Sequence, residues 1–126
     1  MRTITIEYVL STEQVSVEYL SKKLGIYPSN TRSTFPKGSI AKPYWTTSIS
    51  STKSNIEEPL RELMEVVALK KDVINDITRE WKVDSSVVIN VRADYPDRPE
   101  LAIPPYQLCF FAEINAELLF DISYEW

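Results

Sequence analysis

The stretch TITIEYVL, residues 3–10, alternates without a break. Ile4, Ile6, Tyr8 and Leu10 point to one side; Thr3, Thr5, Glu7 and Val9 point to the other. A period of two with one apolar side defines a half-buried strand, and its apolar face needs a second layer. The next segment supplies part of that layer. Val17, Leu20 and Leu24 recur at helical spacing, and Ser11 with Gln14 fits a capping box ahead of them. Gly25 stands where a left-handed helix end is wanted, and Pro28 follows as a stop.

Further along the chain the pattern changes twice. Residues 29–43, SNTRSTFPKGSIAKP, have no apolar period and read as a long loop whose charges, Arg32, Lys37 and Lys42, are all positive. Long loops in small domains are uncommon and often carry function. YWTTSIS (44–50) then reads as a strand bearing Tyr44 and Trp45. Ser54 to Trp81 is helical, with one stripe at Leu60, Leu63, Met64 and Val67 and another at Val73, Ile74, Ile77 and Trp81. The break near Lys70-Lys71 predicts two helices or a bend. Its start is open between a Ser54/Glu57 capping box and a first turn marked by Pro59.

SSVVINVR (85–92) is β-branched and reads as a strand, DYPDRP (94–99) as a turn, and ELAI (100–103) as a short returning strand. Pro105 suits the first turn of a helix with Leu108, Phe111 and Ala112 on its apolar stripe; Asn115 fits its end, and LLFDISY (118–124) closes as a strand. The sum is one α+β domain over residues 1–126. It has a mixed, mainly antiparallel sheet of about five strands with helices on one face, broadly ferredoxin-like.

Composition removes whole classes of chemistry. The 126 residues include no histidine, one cysteine and two glycines. Without imidazole there is no Ser-His-Asp or Cys-His triad and no histidine metal site. Two glycines do not build a Gly-rich phosphate loop. Fourteen Lys and Arg against 18 Asp and Glu give a net charge of −4, with the basic residues scattered, which argues against nucleic acid as a partner. No window approaches a membrane span, and the N-terminus lacks a signal-peptide pattern, so a cytoplasmic location and no membrane partner are expected. A single Cys109 suits a reducing compartment; among Leu108, Phe110 and Phe111 it reads as a buried structural thiol. No metal or other cofactor is expected.

Two groups stand out as candidates. Arg32, Lys37 and Lys42 beside Tyr44 and Trp45 have the composition of a recognition surface for an acidic protein, a phosphate or a nucleotide. Asp121 sits in the apolar strand 118–122 and must be solvated, paired or hydrogen-bonded; structural pairing, for which an arginine would serve, is expected ahead of a binding or acid–base role or exposure on an edge.

The order Leu24-Gly25-Ile26-Tyr27-Pro28, then Arg32, Lys37-Gly38 and Trp45, and at the end Asp121-Ile122-Ser123-Tyr124, resembles the bacterial family named domain of unknown function 4279. The resemblance covers about residues 3–124. It implies a small bacterial or phage-borne domain and carries no activity with it. Tyr124 joins the binding candidates through this match.

No paired catalytic constellation is present, so a binding role is expected ahead of an enzymatic one. The first reading is a protein-binding module, for example an immunity-type or defence-blocking protein that occupies a toxin or a defence enzyme. The alternative is a domain that binds or sequesters a small anionic, nucleotide-like ligand through the basic loop. An enzyme built on Asp121 is the third. An exposed edge at 44–50 or 118–124 is also where a homodimer could form.

Overall fold

The computed structural model describes residues 1–26 and 44–126. Its elements run β1 (Arg2–Ser11), α1 (Val17–Leu24), β2 (Tyr44–Ser51), α2 (Glu57–Ala68), α3 (Lys71–Glu80), β3 (Asp84–Asp94), a 3₁₀ turn (Tyr95–Asp97), α4 (Pro105–Glu113) and β4 (Ala116–Glu125). The strands form one sheet in the order β2-β1-β3-β4. β1 pairs antiparallel with both β2 and β3, and β3 pairs parallel with β4. The α+β class and the mixed sheet follow the sequence reading.

β1 explains why the sheet folds. Ile4, Ile6, Tyr8 and Leu10 are fully buried, and their register partners on β3 include Val91, Ile89 and Val87, also fully buried. All four helices give buried side chains to this side: Leu20 and Leu24 from α1, Leu60 and Leu63 from α2, Ile74 from α3 and Phe111 from α4. These residues make one contiguous core. Trp45 enters it edge-on to Tyr8, with ring centroids 6.4 Å apart.

The helix ends show local chemistry at work. Gly25 takes φ 68°, and its N–H reaches back to the Ser21 carbonyl, closing α1 as expected. Asn115 takes φ 55° after α4, the other left-handed position among the described residues. The break at Lys70-Lys71 separates α2 from α3 as the sequence predicted. The starts differ from expectation. Ser11 stays in β1, and Ser16 caps α1 by accepting the Tyr19 N–H at 3.1 Å. Thr12 is held by Lys82 instead, to whose carbonyl it donates at 2.8 Å. Before α2, Asn55 rather than Ser54 supplies the capping oxygen, accepting the Glu58 N–H at 3.0 Å.

Four strands, not five, are present among the described residues. ELAI (100–103) contributes a single bridge, Glu100 to Asn55. The Glu100 N–H donates to Ser54 and its carbonyl accepts from Ile56, so this segment ties the entry of α2 rather than pairing with β3. Its apolar residues Leu101 and Ile103 pack on the core without ladder partners. The order β-α-β-α-α-β-α-β also differs from the β-α-β-β-α-β of a ferredoxin-like domain, because α2 and α3 stand between β2 and β3. The opening and closing units share strand-helix-strand order, but the first pair is antiparallel and the last parallel.

Candidate functional site

The last unit leaves one margin of the domain unfinished. β4 is ten residues long and ends the sheet. In register, Leu118, Phe120 and Ile122 oppose Val87, Ile89 and Val91, so they lie on the helix-bearing side. The β3 members of these pairs are fully buried. Phe120 and Ile122 remain 47 and 38% exposed, and Leu119 on the other face 43%.

Element lengths explain the exposure. α4 is the helix packed on β4, and it has nine residues. A helix of that length spans roughly 13 Å, whereas a ten-residue strand runs about 33 Å. Ala116 and Leu118, at the start of β4, are partly covered, as is Tyr124 near its end, whose ring meets Tyr95 edge-on with centroids 6.4 Å apart. Phe120 and Ile122 fall between these two covers.

The helix adds to the open surface. Phe111 and Gln107 are the buried residues of α4, while Tyr106, Leu108, Cys109 and Ala112 are exposed. Of the three residues of the expected stripe, Phe111 enters the core, and Leu108 and Ala112 are exposed. Cys109 is exposed as well, which corrects the reading of a buried thiol. The reason is that α4 is apolar nearly all round, so runs of apolar neighbours did not mark its inner face.

Polar groups at this margin are tied within the chain. Arg92 on β3 donates from Nη2 to Asp121 Oδ2 at 3.1 Å and from Nη1 to the Asp121 carbonyl at 3.0 Å. This is the arginine partner expected for Asp121, formed at the surface rather than in a buried setting. Lys71 pairs with Glu113 at the end of α4.

The other predicted residues are dispersed. Arg32, Lys37 and Lys42 lie outside the described residues. Tyr44 opens β2 and is half-buried. Trp45 is 1% exposed, with its indole in the core. β2 and β4 are opposite edges of the sheet, so Tyr44 and Trp45 are not brought together with Asp121 and Tyr124. Tyr124 does share β4 with Asp121.

Three groups outside β4 and α4 have shifted ionisations. Burial pushes the Tyr8 phenol up to about 12, against a hydrogen bond of 2.7 Å with Ser85 Oγ that works the other way. The Met1 ammonium donates to Asp94 and Asp97, which raises its own pKa and lowers that of Asp97. Among the described residues no group of three or more His, Cys, Asp or Glu is placed to hold a metal ion, and no helix is long and apolar enough to cross a membrane.

Set against known protein families, the chain matches the model described as domain of unknown function (DUF4279) over residues 2–125, as the resemblance led us to expect. No curated protein and no solved structure matches it.

Proposed function

The chain belongs to the family described as domain of unknown function (DUF4279), and we propose that this member is a protein-binding module whose contact surface is the β4–α4 margin. One observation carries the reading: Leu119, Phe120 and Ile122 stand open on a ten-residue edge strand. Edge strands of lone domains are usually blunted by shortness, a proline, a bulge or charged side chains; the charges of β4, Glu117, Asp121 and Glu125, all lie on the face away from the helices, and its helix side carries none. β4 has no proline, and its pairing with β3 runs unbroken from Ala116 to Glu125. Phe120 and Ile122 are neighbours on one face of that strand, and exposed apolar side chains grouped in this way mark a contact site. The opposite edge, β2, has no large exposed apolar side chain.

A partner that adds a strand gains main-chain hydrogen bonds from the edge, and apolar contact with Phe120 and Ile122 supplies selectivity. Such a protein acts by occupying its partner, as an immunity-type or defence-blocking inhibitor would, and needs no catalytic group. Asp121, engaged by Arg92, serves in this reading to brace β4 on β3. A cytoplasmic setting belongs to the same proposal and suits an exposed free thiol at Cys109.

The test is native mass spectrometry of tagged protein drawn gently from host lysate, comparing the natural sequence with Phe120→Lys and with Ser50→Lys on β2. Loss of a stoichiometric protein partner, whether another copy or a second protein, in Phe120→Lys alone supports the assignment. Retention of the partner by Phe120→Lys refutes it.

A further inference from the structure

The sequence of β4 is self-complementary when run against itself. An edge that continues a sheet across a two-fold axis perpendicular to it keeps both helix layers on one side, and residues of like face must meet. The axis therefore passes through a residue. With the axis at Phe120, Leu118 meets Ile122, Phe120 meets Phe120, and Ala116 meets Tyr124 on the helix side. On the open side Leu119 meets Asp121 and Glu117 meets Ser123. No two like charges stand opposite each other, and each large apolar residue of the helix side has an apolar or aromatic partner or a small one that leaves it room.

Neighbouring registers lose this match. An axis at Leu119 sets Glu117 against Asp121, and an axis at Asp121 sets Asp121 against itself and Glu117 against Glu125. Like charges directly opposite destabilise a strand pair. The net charge of −4 opposes self-association in general. Of the three acids on β4, Glu117, Asp121 and Glu125, Asp121 is engaged by Arg92, and in the register about Phe120 none of the three meets another acid.

We propose that the occupant of the β4 edge is β4 of a second copy, antiparallel about Phe120, giving one continuous eight-stranded sheet with an isologous interface. The exposed Leu108 lies on α4, the helix packed on β4. This inference rests on the reading of the β4–α4 margin as a protein-contact surface and names the partner.

Light scattering on the full chain over a concentration series tests it, with Phe120→Lys, Ser50→Lys and the natural sequence side by side and circular dichroism to verify folding. The natural sequence and Ser50→Lys give the mass of two chains; Phe120→Lys gives the mass of one. Register is read by oxidative cross-linking in a Cys109→Ser background. Phe120→Cys cross-links to itself, because position 120 meets its own symmetry mate, whereas Leu119→Cys and Asp121→Cys do not. A single-chain mass at every concentration, or a dimer that Phe120→Lys leaves intact, overturns the second-copy proposal. So does self-cross-linking strongest at position 119 or 121. If the natural chain is a monomer that holds a different protein and loses it on Phe120→Lys, the second copy is ruled out while the contact surface stands. If Phe120→Lys changes neither association, both fall.

Discussion

Ile89 and Phe120 are register partners on β3 and β4, yet Ile89 is fully buried and Phe120 is nearly half exposed. Adjacent positions on one face of one sheet thus carry different burdens. Ile89→Ala opens a cavity in the core and is expected to cost about 2–5 kcal/mol of stability. Phe120→Ala removes a side chain that has few core neighbours, and in dilute protein it should cost less than half as much as Ile89→Ala. Urea denaturation of the two variants checks the ordering. Association should rank them the other way, with Phe120→Ala the more damaging.

Tyr8 holds a phenol in the core against Ser85 Oγ. Tyr8→Phe leaves that hydroxyl without its partner and is expected to cost roughly 1 kcal/mol near neutral pH. The pH dependence follows from the raised phenol, about 12 in the folded chain against 10 in the unfolded one. Below pH 10 both states hold the proton and the full stabilisation is present. Between pH 10 and 12 the unfolded state releases it first, so stability falls as pH rises, by roughly 2–3 kcal/mol in all. Tyr8→Phe should remove this part of the alkaline loss. Denaturation of both proteins from pH 8 to about pH 12 measures the difference.

Gly25 ends α1 at φ 68°. Among the described residues a Cβ there would meet the Lys70 side chain alone, Nζ at 3.5 Å, an ordinary van der Waals contact. The cost of Gly25→Ala lies in the left-handed backbone and should be about 1–2 kcal/mol. Gly25→Asn should cost less, since Asn accepts that conformation. Thermal melts of the pair separate strain from crowding.

Arg92 and Asp121 form an ion pair that is more than half exposed at both ends. Its net worth should be small, within about 1 kcal/mol, and screened by salt. A double-mutant cycle with Arg92→Ala and Asp121→Asn, run at low and high ionic strength, reads the coupling. A value well above that range would mark Asp121 as more than a surface brace.

Much of the fold was legible because the core strands obey period rules. β1 alternates strictly, the helical stripes of α2 and α3 stop at Lys70-Lys71, and Gly25 and Asn115 sit at helix ends. Apart from α4, whose apolar residues run nearly all round, the misreading of the strand count has its source in pairing partners that are tertiary. Glu100 bonds to Ser54 and Ile56, and no local pattern in ELAI tells that from a ladder with β3. In sequence Trp45 fits both a recognition surface and a core tryptophan under a polar loop; its indole fills the core against Tyr8. Asp121 in an apolar strand calls for solvation, pairing or hydrogen bonding, and the structure pairs it with Arg92 at an exposed surface, a partner that sequence alone does not select.

The exposed margin did leave a trace. Leu118, Leu119 and Phe120 break alternation where one buried face would require it, and α4 carries no charged face apart from Glu113. Apolar residues on both sides of a strand and around a helix mark two surfaces to be covered. The described chain covers one of them.

Hydrogen exchange along β4 tests most directly whether that second surface is a binding edge. In protein purified gently from its host, the outward amides between Leu118 and Ser123 should exchange slowly, and Phe120→Lys should return them to the rapid exchange of an open edge while β1 and β3 stay protected. Rapid exchange in the natural sequence, unchanged by Phe120→Lys, would show that nothing occupies β4 and would contradict the assignment of this margin as the contact surface.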